Sequence, residues 1–208
     1  MKVIVFIDGE NLRHRVADIL LQERIIESGF ELKKFNIRAL IEDAVPEAKD
    51  AQMRYFGAKV RIRGSTKFMR DKTLKIVQQK RPWNSYLGEQ KIDYIETGNL
   101  QLKTEKRDGR GVEYLVEKGV DVGMAVDMTV EALKRRVDLA VCVSSDLDVL
   151  PAIKAVRKEG LKVLYLTNEQ YLTSGIAVAA DMTRTFTTRQ VVENYVPIKK
   201  QIGRKHGK

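Results

Sequence analysis

The sequence predicts an α/β domain with a mostly parallel central sheet and helices on both faces. Three observations lead there. Val3–Ile7, Leu139–Val143 and Leu161–Leu166 are short apolar runs rich in β-branched and aromatic residues, which read as buried strands. Apolar residues at helical spacing lie between these runs, and strands alternating with helices favour parallel pairing. The 208 residues suit one ordinary domain, and 43% hydrophobic content supplies a sizeable core.

Each element follows from a local signal. The first strand, Val3–Ile7, ends at Asp8, and Gly9 supplies a turn. Asn11 then precedes Leu12, Val16, Ile19 and Leu20, a helical spacing with Gly29 as its stop. Ile37–Val45 is a short apolar patch ended by Pro46, and Gln52–Arg61 reads as the second strand. Asp71–Gln79 is expected to be helical, with Leu74 and Val77 on one side and Pro82 as terminator. Lys91–Leu102 alternates as one or two strands, and Lys103–Gly111 reads as a charged loop. Asp121–Arg136 is the strongest helix, with Val122, Val126, Val130 and Leu133 on one face. After the strand Leu139–Val143, a helix over Val149–Lys158 closes at Gly160. Leu161–Leu166 is a strand, Gln170–Asp181 a helix and Val191–Val196 a last short strand. One domain is expected over residues 1–196, with a basic insertion-like region at about 59–111 and a flexible basic tail over 197–208.

Composition excludes several classes. The longest run without a charge is Gln170–Ala180, well short of the roughly 20 apolar residues of a membrane helix. The start, MKVIVFIDGEN, lacks the length and cleavage site of a signal peptide. The single cysteine, Cys142, rules out an internal disulfide and a cysteine-based zinc site. A cytoplasmic location without membrane association is therefore expected. Net charge is +10 and unevenly placed. Residues 59–81 carry nine basic side chains against Asp71, and 199–208 carry five with no acid. Such segregation is the footprint of a polyanion partner. Arg61, Arg63, Lys67, Arg70 and Lys72 are the candidate phosphate contacts. Phe68, Trp83 and Tyr86 lie in or beside the segment, with Trp83 the candidate base-stacking residue.

Acidic residues form the second pattern. Asp8 ends the first strand, Asp121 opens the strong helix, and Asp146 and Asp148 follow the strand Leu139–Val143. In an open parallel sheet, functional groups gather at the carboxyl ends of strands, and a helix leading into the next strand starts at that edge. Carboxylates from three loops then converge, repel one another and favour a cation; oxygen ligands suit Mg²⁺ or Mn²⁺. Singly, each has a structural alternative: Asp8 as a turn residue, Asp121, Asp146 and Asp148 as helix caps. Asp127, deeper in the helix, either reaches the crevice from the flank or faces water. Asn11 can donate to a phosphate or cap the first helix. Lys118 can contact a phosphate or face solvent. Asp181 reads as a helix-end surface acid.

At these motifs the sequence resembles the NYN domain family, a PIN-like nuclease group, and its LabA-like bacterial branch. The matching pieces are FIDGEN with Asp8 and Asn11, KGVDVGMAVD with Lys118, Asp121 and Asp127, and SSDLDVLP with Ser145, Asp146, Asp148 and Pro151. The resemblance covers about residues 1–185. It implies a PIN-like Rossmannoid fold, three layers α/β/α around a mostly parallel sheet, and a metal-dependent ribonuclease site. It carries metal or catalytic roles onto Asp8, Asp121 and Asp146 most directly, and onto Asp127 and Asp148 beside them. A homodimer is a further expectation of that kind.

The expected function is hydrolysis of RNA phosphodiesters, with single-stranded RNA preferred. Asp8, Asp121 and Asp146 would hold the metal, Asp148 would orient the shell, and Asn11 and Ser145 would position phosphate or water. The alternative is a nucleic-acid-binding regulator without turnover. A small-molecule phosphoryl-transfer enzyme is disfavoured, because neither a GxxxxGK[ST] loop nor a GxGxxG after the first strand is present.

Overall fold

Alternate residues of the first strand point into two different cores. Val3, Val5 and Ile7 pack into one apolar cluster, Ile4 and Phe6 into the other. That period of two, with both faces buried, places the strand at the centre of a covered sheet. The computed structural model describes residues 1–27, 34–62, 64, 66–107 and 110–195.

In chain order the elements are β1 (Val3–Asp8), α1 (Gly9–Gln22), α2 (Ile37–Ala44), β2 (Gln52–Lys59), α3 (Lys67–Glu89) and β3 (Ile92–Arg107). They continue as β4 (Arg110–Lys118), α4 (Val120–Lys134), β5 (Leu139–Val143), α5 (Leu150–Lys158) and β6 (Lys162–Asn168). The last are α6 (Ser174–Ala179), β7 (Met182–Phe186) and α7 (Thr188–Glu193). The sheet order is β4-β3-β2-β1-β5-β6-β7, parallel throughout except for the antiparallel β3–β4 pair. One face is covered by residues of α1, α2, α7 and the second half of α3, the other by α4, α5 and α6. This is the expected α/β architecture with a mostly parallel sheet. Among the described residues no helix is long and apolar enough to cross a membrane.

Several elements differ from expectation. α3 does not stop at Pro82 but runs seven residues further, to Glu89. A proline inside a helix costs about 3 kcal/mol. Trp83 and Leu87, both buried just beyond it, each return about 1.5–3 kcal/mol. The expected charged loop at 103–111 is mostly strand. Asn99 to Arg107 of β3 pairs with β4 residue for residue, as a two-stranded ribbon. Its charged side chains obscured the alternation.

α4 is inverted relative to its apparent amphipathicity. It buries Val120, Met124, Met128 and Ala132, whereas Val122, Val126, Val130 and Leu133 are exposed. The helix is apolar on two sides, and Gly123 selects the buried one: a Cβ there would lie 1.9 Å from Thr97 Oγ1. The expected helix over 170–181 is a 3₁₀ turn (Glu169–Tyr171) followed by the short α6. The expected final strand at 191–196 is instead α7 through Glu193, opened by a capping box between Thr187 and Gln190. The seventh strand, β7, is mostly polar and exists because it pairs with β6. Gly29 and the basic tail lie outside the described residues.

Candidate active site

The chain leaves β1 in two directions, through β2 and β3 on one side and through β5, β6 and β7 on the other. The carboxyl ends of β1 and β5 therefore flank the crevice where such sheets bind ligands. Asp8 stands at the end of β1 and caps α1, its Oδ1 accepting the Asn11 N–H at 3.2 Å. Asp8, not Asn11, is thus the helix cap. Gly9 is obligatory beside it, since a Cβ would sit 2.1 Å from the Tyr55 ring and 2.4 Å from the Phe56 carbonyl oxygen. Tyr55 donates its hydroxyl to the Gly9 carbonyl at 2.7 Å, which fixes the turn.

A polar web ties this turn to the loop after β5. Ser144 donates its hydroxyl to Asp8 Oδ2 at 2.9 Å and accepts the Asp146 N–H at 3.1 Å. Asp146 Oδ1 in turn accepts the Asp148 N–H at 3.0 Å, capping a 3₁₀ turn over Leu147–Val149. Asn11 Oδ1 accepts both the N–H and the hydroxyl of Ser145, at 3.0 and 3.1 Å. Arg15 Nε donates to the Ser145 hydroxyl at 3.0 Å, and its guanidinium lies 4.4 Å from the centre of the Tyr171 ring. With its oxygen committed, Asn11 keeps its amide N–H groups for another partner.

Asp121 reaches the same edge from the opposite side. The turn before α4 has Gly119 at φ 82° as its cap residue, and Gly98 at φ 64° packs against it. A Cβ on Gly98 would lie 2.5 Å from the Lys118 carbonyl oxygen. Asp121 sits in the first turn of α4 and caps nothing. Its charge is nonetheless felt at Asp8. Burial pushes the Asp8 carboxyl above its ordinary range, and Asp146 and Asp121 push it further.

Two further carboxylates join the cluster. Burial, with help from Glu10, Asp8 and Asp121, raises Glu117 to about 7. Glu117 lies one residue from the end of β4, in the alternating stretch Val112–Lys118. That alternation, ending at a glycine before the acidic helix start, was the overlooked signal. Glu10 is pushed up by burial, but Arg13 and His14 more than offset this and leave it below its ordinary value.

The other candidate residues divide into two groups. Lys118, Arg61, Lys67, Arg70 and Lys72 are exposed, and Ser145 belongs to the web just described. Asp148 is exposed beside Asp146. Arg63 lies outside the described residues. Two assignments are corrected. Trp83 is 9% exposed, in edge contact with Tyr55 at a centroid distance of 5.5 Å, so its faces are unavailable to a base. Asp127 is bound to Arg54 at 2.6 Å, and Arg54 also holds Glu131 at 3.1 Å. Arg54 pairs with Phe6, two residues before the end of β1, so Asp127 is drawn down the sheet and away from the crevice. Asp181, read from the sequence as a helix-end surface acid, is exposed but tied down, binding Arg157 and accepting the Val163 N–H at 2.6 and 2.9 Å. Cys142 is buried with its thiol pushed up to about 12, which leaves it inert.

Residues 2–191 match the NYN domain family. This chain belongs to that family. No curated protein matches the chain. Among solved structures, a Vibrio parahaemolyticus RIMD 2210633 protein of unknown function is similar, with a TM-score of 0.53 and 14% identity. The match covers 88% of this chain and 91% of that one. Identity this low supports the fold alone.

NYN domains are PIN-like nuclease domains, so the expected class of activity is cleavage of nucleic acid. The carboxylates of the crevice in this NYN domain are hard oxygen donors. Among the described residues no group of three or more His, Cys, Asp or Glu side chains is arranged to hold a metal by direct ligation. The like charge that Asp146 and Asp121 direct at Asp8, and that Asp8 and Asp121 direct at Glu117, fits a divalent cation that keeps part of its own water shell.

Proposed function

We propose that this NYN-domain protein is a metal-dependent ribonuclease, acting on single-stranded RNA at the crevice between β1 and β5. The observation that carries the reading is electrostatic. Asp8 is held at the end of β1 by Ser144, which also holds the loop of Asp146, and like charge from Asp146 and Asp121 adds to burial in raising its carboxyl. A cation bound there would offset that like charge.

Asp8, Asp121 and Asp146 would hold Mg²⁺ or Mn²⁺. When bound, such a cation supplies Lewis-acid stabilisation of the charge that develops on the phosphate. The chain's own groups do the positioning. Ser144 fixes the Asp8 carboxylate and the Asp146 backbone together. Asn11 points its free amide donors from a side chain already locked by Ser145. Asp148, next to Asp146, orients water at the exposed side of the crevice. Lys118, exposed at the base of the ribbon, meets the incoming phosphate backbone.

The test is cleavage of a labelled single-stranded RNA with Mn²⁺, with Mg²⁺ and with EDTA, with Asp146→Asn alongside. Metal-dependent cleavage lost in a folded variant is the expected result. Salt-sensitive binding without cleavage by either protein would overturn it in favour of a regulator that binds nucleic acid without turnover. Cleavage of DNA in preference to RNA would overturn the substrate assignment.

A further inference from the structure

The ribbon and the first half of α3 form an arm beyond the sheet. The last residue pair between β2 and β3 is Lys59 with Asn99. From Asn99 onward, β3 pairs with β4 alone for eight residue steps, about 27 Å. Thr66, the cap of α3, lies 3.4 Å from Glu113, which is opposite Thr104. The start of α3 is therefore about 17 Å past the sheet edge, five residue steps at strand rise. α3 then returns along the arm, burying Met69 and Thr73, and reaches the edge at Lys80.

Charge is distributed unequally along this path. At the edge, Lys80 and Lys59 both pair with Glu96. Further out, Lys67, Lys72 and Lys75 have no acid partner among the described residues, and Arg70 donates only to the Gly64 carbonyl. Phe68, Lys72, Lys75 and Gln79 recur at i, i+4, i+7 and i+11, a single exposed face of the helix. Phe68 is 74% exposed at its outer end. An aromatic ring in line with unneutralised lysines is the arrangement that binds an unpaired strand, the ring stacking a base and the cations meeting phosphates.

We infer that this face of α3 is a second grip on the RNA, stacking an unpaired base on Phe68 and holding the adjoining phosphates on Lys72 and Lys75. The inference rests on the ribonuclease reading for its substrate, but it concerns binding alone. The 17 Å offset along β3, combined with the two strand spacings (about 10 Å) that separate β3 from β1, corresponds to about six nucleotides at the 3.4 Å rise of a stacked strand. A strand engaged at both places must therefore be longer than about six nucleotides, and Phe68 takes over the role the sequence suggested for Trp83.

The experiment measures anisotropy of fluorescein-labelled single-stranded RNAs of 4 and 12 nucleotides, in EDTA, with the Asp146→Asn protein as background. Phe68→Ala is expected to weaken binding of the 12-mer about tenfold without changing its salt slope, and Phe68→Trp to restore it. Lys72→Ala with Lys75→Ala should flatten the slope of log K against log salt by about 1.4. Lys154→Ala, at an exposed position of α5, should change neither. The 4-mer, long enough for the arm alone, should bind more weakly than the 12-mer, and Phe68→Ala should weaken it as well.

Unchanged 12-mer affinity in Phe68→Ala, or an equal preference for a 12-base-pair duplex, would overturn the inference. If the wild type never cleaves but Phe68→Ala weakens binding, the ribonuclease reading fails and the grip stands. If it cleaves and Phe68→Ala binds normally, the reverse holds. Phe68 makes few contacts, so a matching thermal melt shows that the variant is folded.

Discussion

Ser144 joins the two loops of the crevice, donating to Asp8 Oδ2 at 2.9 Å while it accepts the Asp146 N–H at 3.1 Å. Ser144 is itself buried. Replacing it with alanine leaves a buried carboxylate and a loop N–H short of a partner. Ser144→Ala should cost about 1–3 kcal/mol in urea unfolding. The lost bond also favoured the ionised form of Asp8, so the Asp8 pKa rises further. The alkaline-going onset of cleavage should then move to higher pH. An unshifted pH profile would show that Asp8 ionisation does not limit the reaction.

Glu117 makes stability depend on pH in a known direction. Its carboxyl is raised from 4.5 to about 7 in the folded protein. The folded state therefore holds a proton that the unfolded chain releases. Its favourable contribution is complete below pH 4.5 and is lost as pH rises through about 7. Glu117→Gln should stabilise the metal-free protein at pH 8 by about 1–2 kcal/mol, a figure discounted for solvent screening, and make little difference at pH 4. Thermal melts at the two pH values, in EDTA, measure it. Equal effects at both would remove Glu117 from the electrostatic cluster.

Asp127 and Arg54 are a structural pair. Asp127→Asn should leave metal-dependent cleavage within about threefold of the wild type while lowering stability by about 1 kcal/mol. Arg54→Ala should cost about 2–3 kcal/mol, because it strands Asp127 and leaves Glu131 to Lys134 alone. Cleavage lost in Asp127→Asn to the extent seen in Asp146→Asn would return Asp127 to the metal site.

Trp83 is the only tryptophan, so its fluorescence reports one place. Packed against Tyr55 and Tyr86, it should emit at short wavelength and show no quenching when RNA is added. Trp83→Ala should destabilise by about 3–5 kcal/mol, the cost of emptying a core position. Strong quenching by RNA would place a base on the ring and contradict the packing.

Much of this was legible in the order of the residues. The strands β1, β5 and β6 are local apolar runs, and their alternation with helices implies parallel pairing and hence one functional edge. From that edge Asp8, Asp121 and Asp146 follow without coordinates, because strand ends and helix starts are fixed by connectivity. The ribbon was less legible, since a two-stranded arm has no second layer to cover it and so little need of an apolar face. Pro82 misled because a local rule was outweighed by burial of Trp83 and Leu87.

By itself, then, the sequence determined the fold class, the chain order of the acidic motifs and the basic character of residues 59–81. The tertiary structure alone decided which face of α4 is buried, which acid Arg54 captures, whether Glu117 joins the crevice, and whether Trp83 or Phe68 meets solvent. The physical reason is range. Strand and helix patterns are set by neighbours a few residues apart, whereas burial and ion pairing depend on groups brought together from distant parts of the chain, such as Arg54 with Asp127 or Gly123 with Thr97. A helix apolar on two sides, or an acid within reach of two partners, carries no local mark of which it will choose.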